Sequence, residues 1–157
     1  SPVRVHTPAA ARRALRFGGV TMSVVPLLTL LIAPLRSAAR AASLMTDDVT
    51  YYDATVGVPQ VSRDSAQKNV IQAFITAAPD CSWVRDSTPP IVGPDGIAFT
   101  WTFSGTHTGP LSDGTKATGK KFSFKGATLI RLKGDKIAYQ GDYYDAYGFL
   151  KQLGLAS

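Results

Sequence analysis

Two side chains in this sequence are suited to moving or holding a proton: Asp142 and His107. Asp142 lies in a candidate final strand. A carboxyl group in an apolar cavity has its charged form disfavoured, which lifts its proton affinity toward the working range of a general acid/base. Trp101, Phe103, Phe122 and Tyr143 are the aromatic candidates for the wall of such a cavity. The alternative for Asp142 is a surface carboxylate at the end of an edge strand, paired with a lysine. His107 stands in Gly105-Thr106-His107-Thr108-Gly109. A neutral imidazole there could hold or orient a ligand oxygen, or it could organise the glycine-rich loop by hydrogen bonds. His6 is the only other histidine and Cys81 the only cysteine. That excludes an internal disulfide and a cysteine-based metal site, and it argues against a multi-histidine metal centre.

The elements that must position these residues follow from the period of the apolar positions. Val49 to Tyr52 is β-branched and aromatic, and reads as a short strand. Thr55 to Gln60 is a loop. Ser62 or Asp64 can cap the helix that follows, with Val70, Phe74 and Ala77 on one stripe and Pro79 ending it. The period then changes to two. Ser82 to Ser87 is a candidate strand, and Gly93-Pro94-Asp95-Gly96 is a turn. Ile97 to Ser104 alternates, with Ile97, Phe99, Trp101 and Phe103 on one face. Gly105 to Lys120 is a polar loop. Lys121 to Lys133 is a long strand carrying Phe122, Phe124, Thr128, Ile130 and Leu132 on one face. Gly134-Asp135 makes a tight hairpin into Lys136 to Tyr143. Tyr144 to Leu153 closes the chain as a helix with Tyr147, Leu150 and Leu153 inward and Asp145 at its cap. Helices first and strands second is an α+β order, not an alternating βαβ one.

Composition limits the partners. The 157 residues make one domain, and the net charge of +6 is unevenly placed. Every acid is an aspartate, and the first is Asp47. Arg4, Arg12, Arg13, Arg16, Arg36 and Arg40 precede it unopposed, and the remainder of the chain is neutral. The basicity belongs to the N-terminal segment and not to a domain face, which argues against nucleic-acid binding. Residues 1–16 read as an extended basic arm. Residues 17–46 read as an apolar, helical segment, with Pro26 and Pro34 each able to start a helix. Its apolar run of about 16 residues is shorter than the roughly 20 needed to span a bilayer. Two readings stand for it: helices of the fold itself, or contact with a membrane or a protein complex. Its Arg-rich, acid-free composition is that of an organelle transit sequence, chloroplast or mitochondrial.

Three stretches, in this order and spacing, resemble one known family. They are Phe103-Ser104-Gly105-Thr106-His107-Thr108-Gly109-Pro110-Leu111, then Ala117 to Gly126, then Lys133-Gly134-Asp135-Lys136-Ile137 through Gly141-Asp142-Tyr143-Tyr144-Asp145. Residues 47–157 are similar to the SnoaL-like polyketide and ester cyclases of the nuclear-transport-factor-two-like superfamily. The resemblance implies a cone-shaped α+β fold, a strongly curved antiparallel sheet with helices packed on its concave face. It implies a cofactor-independent cyclase or isomerase acting on an apolar small molecule, with Asp142 as the acid/base and His107 a further candidate. It also implies, by analogy, a homodimer. Thr128 stands where such a pocket would carry a histidine. A threonine can donate a hydrogen bond but cannot shuttle a proton at neutral pH. A second functional reading therefore stands beside the enzyme: a non-catalytic accessory or binding subunit of an organelle complex, anchored by its N-terminal segment.

Overall fold

The structure, a computed structural model, describes residues 37–157. The expected basic arm, and the apolar segment as far as residue 36, lie outside the described residues. Ser37 caps helix α1 (Ala38–Ala42) by accepting the Arg40 N–H. Ala38, Ala42 and Met45 are buried in the core. The folded unit therefore begins before the expected boundary at Asp47. No helix among the described residues is long and apolar enough to cross a membrane.

Strand β1 (Met45–Asp53) buries Met45, Val49, Tyr51 and Asp53 on one face. Ser62 and Ser65 then form a reciprocal cap that starts helix α2 (Arg63–Ala66). A π-helical turn (Gln67–Ile71) carries the rod on into α3 (Gln72–Ala77). The strands are β2 (Ser82–Arg85), β3 (Ile91–Val92), β4 (Gly96–Thr106), β5 (Lys121–Lys133) and β6 (Lys136–Tyr144). Helix α4 (Ala146–Leu153) ends the fold, capped by Asp145 and closed by Gly154 in the left-handed region. Its inward stripe is Phe149 and Leu153, one turn apart. Tyr147, expected inward, is exposed.

The sheet order is β1-β6-β5-β4-β2, with β3 also paired to β4. Neighbours run antiparallel except β1, which lies parallel to β6. Gly134, at φ +63°, makes the β5–β6 hairpin. The expected alternation on β4 holds: Ile97, Phe99, Trp101 and Phe103 are all buried. Phe124 on β5 packs against Phe149 of α4 with ring centres 4.8 Å apart, and Phe103 packs edge-on against Phe74 of α3 at 5.6 Å. These aromatic contacts fix the helices over one face of the sheet. They also set the boundary of the interior that holds the candidate site.

Candidate functional site

A one-residue irregularity in β6 decides which side chains face inward. Arg131 pairs with Tyr139, but the next residue, Leu132, pairs with Ile137. Ala138 is thus extra, a β-bulge. Successive strand residues point to opposite faces, so a bulge inverts the alternation beyond it. Ile137 is buried on one side of the bulge, and Gln140 and Asp142 are buried on the other. Without the extra residue, either Ile137 or Asp142 would face water.

Asp142 then falls in register between Thr128 on β5 and Asp53 on β1. Its carboxyl receives donors on both oxygens. The Tyr51 hydroxyl donates to Oδ2 at 2.5 Å, and the Thr128 hydroxyl donates to Oδ1 at 2.6 Å. The Gln140 amide nitrogen lies 3.3 and 3.4 Å from the two oxygens, and 3.2 Å from the Tyr51 hydroxyl. The direction of the Thr128 bond is fixed from behind. The Trp101 indole N–H, which can only donate, is 2.7 Å from the Thr128 oxygen. Thr128 must accept that hydrogen bond, and its own single proton points to Asp142. Gly126 makes this possible, because a side chain there would collide with the Trp101 ring that lies across it.

Burial pushes the Asp142 carboxyl above its ordinary value, while the Thr128, Tyr51 and Gln140 bonds pull it down; burial wins. Tyr51 is driven well above the ordinary phenol range, first by its own burial and then by the neighbouring Asp142. The second carboxyl, Asp53, is pushed up to about 6 by burial and by the charge of Asp142. Its Oδ1 accepts the Thr55 and Val56 N–H groups at 2.8 and 3.1 Å. The Tyr144 hydroxyl lies 3.0 and 3.1 Å from its two oxygens, and 2.6 Å from the Thr55 hydroxyl.

A cavity of about 330 Å³ lies under α3 and α4. Phe74, Phe122, Phe149 and Leu153 supply much of its wall, with Thr55 and His107 among its polar members. Thr55 is the link between this space and the acid pair, through Tyr144. The residues expected to share one site are therefore divided. Trp101, Thr128 and Asp142 form a single hydrogen-bonded cluster. Phe122 and His107 lie further along the same face of the sheet, Phe122 about 20 Å along β5 from Thr128 at the rise of a strand. Phe103 packs between Phe74 and Phe122. Tyr143 corrects the expectation of a pocket residue. It is 45% exposed on the opposite face, its ring tilted against that of Tyr52 and its hydroxyl hydrogen-bonded to Tyr139. Adjacent strand residues cannot both face the interior, and the bulge gives that side to Asp142.

The sequence model of the SnoaL-like polyketide cyclases matches residues 32–153. The chain belongs to that family. No curated protein matches it. Among solved structures, it is similar to a Jannaschia sp. CCS1 protein assigned to the SnoaL-like polyketide cyclases. The TM-score is 0.72 at 14% identity, covering 85% of this chain and 92% of that one. TsrD from Streptomyces laurentii gives 0.68 at 22% identity, over 85% and 96% of the two chains. A Catenulispora acidiphila protein with a ketosteroid isomerase-like fold, in complex with trimethylamine, gives 0.66 at 20% identity, over 83% and 94%. These likenesses establish the nuclear-transport-factor-two-like fold for this SnoaL-like chain.

Two members of the acid cluster escaped the sequence reading, Asp53 and Gln140, and a third, Tyr51, was read only as a pocket or core aromatic in want of a hydrogen-bond partner. Asp53 and Tyr51 share the parity of Val49 along β1, which the alternation of β1 could have revealed. Gln140 shares the parity of Asp142.

Proposed function

We propose that this SnoaL-like protein is a cofactor-independent cyclase or isomerase in which Asp142 is the general acid/base. The observation that carries the reading is the carboxyl of Asp142, buried yet met only by donors, at Tyr51, Thr128 and Gln140. Those donors position both oxygens, while burial keeps proton affinity high enough for the group to give a proton back. In the proposed reaction Asp142 removes a proton from a carbon beside a carbonyl and leaves an enolate. The enolate carbon attacks a second carbonyl of the same molecule, forming a carbon–carbon bond. The resulting alkoxide takes the proton from the Asp142 carboxylic acid. Atoms and charge return to their starting balance, so no oxidant, reductant or metal is required. Thr128, in place of a second proton carrier, fixes the carboxyl instead.

The test is cyclisation of linear aromatic β-keto esters that carry a second ketone, followed by chromatography and mass spectrometry. Asp142→Asn should retain the fold and lose about 10²–10⁴-fold in rate, the usual contribution of a positioned acid/base. Equal turnover by the variant would end the proposal.

A second reading, a binding protein without turnover, has one observation in its favour. The cavity under α3 and α4 is walled by His107 and Phe122, and Asp142 is not among its lining residues. Binding without conversion in the same assay would select it.

A further inference from the structure

A second acid stands beside Asp142 with a hydrogen-bonded exit of its own. Asp53 ends β1 and is 3% exposed, in register with Asp142 on β6. Its Oδ1 is taken by the Thr55 and Val56 N–H groups, which can only donate. A proton carried by this carboxyl therefore sits on Oδ2. The group that meets Oδ2 is the Tyr144 hydroxyl, at 3.1 Å. Tyr144 in turn lies 2.6 Å from the Thr55 hydroxyl.

Proton counting fixes the direction of this row, because each hydroxyl holds one proton and can accept another. With Asp53 ionised, Thr55 donates to Tyr144 and Tyr144 donates to Asp53. With Asp53 protonated, its Oδ2–H donates to Tyr144, Tyr144 donates to Thr55, and the Thr55 proton turns away from the row. Thr55 is partly exposed and is the member of the row that lines the cavity under α3 and α4. Asp142 does not line it. The row is held at both ends. The Tyr144 ring stacks on Phe124 with centres 4.7 Å apart, and the Thr55 N–H is bonded to the same carboxyl.

The titratable groups that act on Asp53 are Asp142 facing it from β6, Tyr144 at the end of β6, and Tyr51 on β1. Burial and the Asp142 charge keep Asp53 protonated up to about pH 6, against the bonds from Val56, Tyr144 and Thr55.

We propose that Asp53 is a second acid of this protein, and that Tyr144 and Thr55 carry its proton to an oxygen in the cavity. The step balances. The Asp53 O–H bond breaks as Tyr144 gains that proton, the former Tyr144 proton passes to Thr55, and the former Thr55 proton passes to the acceptor oxygen. Asp53 is left as a carboxylate and is recharged from water by the reverse steps. The path serves a space that Asp142 does not line, and it holds whether or not Asp142 turns over a substrate.

Carbon-13 NMR of the full chain, labelled at the aspartate carboxyls, tests the path with water as the acceptor. The Asp53 resonance is assigned by its absence in Asp53→Asn. In wild type it should move through its titration as one averaged line, because the proton enters and leaves quickly. Thr55→Val keeps the shape and the backbone N–H and loses the hydroxyl. There the resonance should split into separate protonated and ionised lines that trade intensity. Tyr144→Phe should do the same, and Thr55→Ser should restore the averaged line. A purely structural role for Thr55 would shift the midpoint without splitting the line. Asp142→Asn should keep the averaged line while its midpoint falls, since a neighbouring charge is gone; this separates the path from the proposed catalytic carboxyl. The Thr55 pair carries the test if Tyr144→Phe does not fold. A split line in wild type, in Thr55→Ser or in Asp142→Asn, or an averaged line in Thr55→Val or in folded Tyr144→Phe, would each overturn the proposal.

Discussion

Replacing Asp53 by asparagine should remove a pH-dependent cost built into the seam between β1 and β6. Asp53 is buried, and its pKa is pushed from 3.8 to about 6, by desolvation first and by Asp142 second. The unfolded chain keeps the ordinary value. Between pH 3.8 and about 6 the folded protein holds a proton that the unfolded chain has already lost. Stability contributed by this residue is therefore full below pH 3.8 and falls as pH rises through that window. At about 1.4 kcal/mol per tenfold change in proton affinity, the loss is about 2–4 kcal/mol. Asparagine keeps the contacts. Its amide oxygen can accept from the Thr55 and Val56 N–H groups. Its amide nitrogen can donate to the Tyr144 hydroxyl, which passes its own proton to Thr55. Urea unfolding followed by circular dichroism, at steps between pH 4 and pH 8, reads the difference. The two proteins should agree within about 1 kcal/mol at pH 4, and the variant should be more stable by about 2–4 kcal/mol at pH 8. Parallel profiles would mean that Asp53 carries no such cost. So would a wild type that gains stability relative to the variant from pH 4 to 6, since that would mean the seam welcomes the charge.

Other outcomes follow from the same cluster. Thr128→Val leaves the Trp101 N–H without an acceptor and takes a donor from Asp142, so it should destabilise by about 2–4 kcal/mol in urea unfolding near neutral pH. Gly126→Ala should displace the Trp101 indole, costing about 1–3 kcal/mol and changing tryptophan fluorescence. Unchanged emission would show that the ring does not lie across β5.

Much of the fold was legible because burial repeats along the chain at a fixed period. β4 and β5 read off their alternation, and the Gly134 hairpin, the Ser62 cap and the Asp145 cap read off local chemistry. The bulge at Ala138 was not legible as such. Its trace is an inconsistency: Ile137 and Asp142 are an odd number of residues apart, so a regular strand cannot bury both. Treating Asp142 and the adjacent Tyr143 as partners in one pocket overlooked that period. The parallel pairing of β1 with β6 was hidden for another reason. It joins residues from opposite ends of the domain, and only that long-range contact brings Asp53 and Tyr51 to Asp142. His107 was recognised as a polar residue of interest, but its tautomer depends on Thr118, eleven residues on in a glycine-rich loop with no periodicity to read.

Asp142 is a buried carboxyl whose proton affinity is raised while hydrogen-bond donors hold it in place. Carbon-13 NMR of protein labelled at the aspartate side-chain carboxyl, with the Asp142 resonance assigned by its absence in Asp142→Asn, measures this directly. The Asp142 resonance should titrate above the ordinary aspartate value of 3.8. A resonance already that of the ionised form at or below pH 3.8 would contradict it.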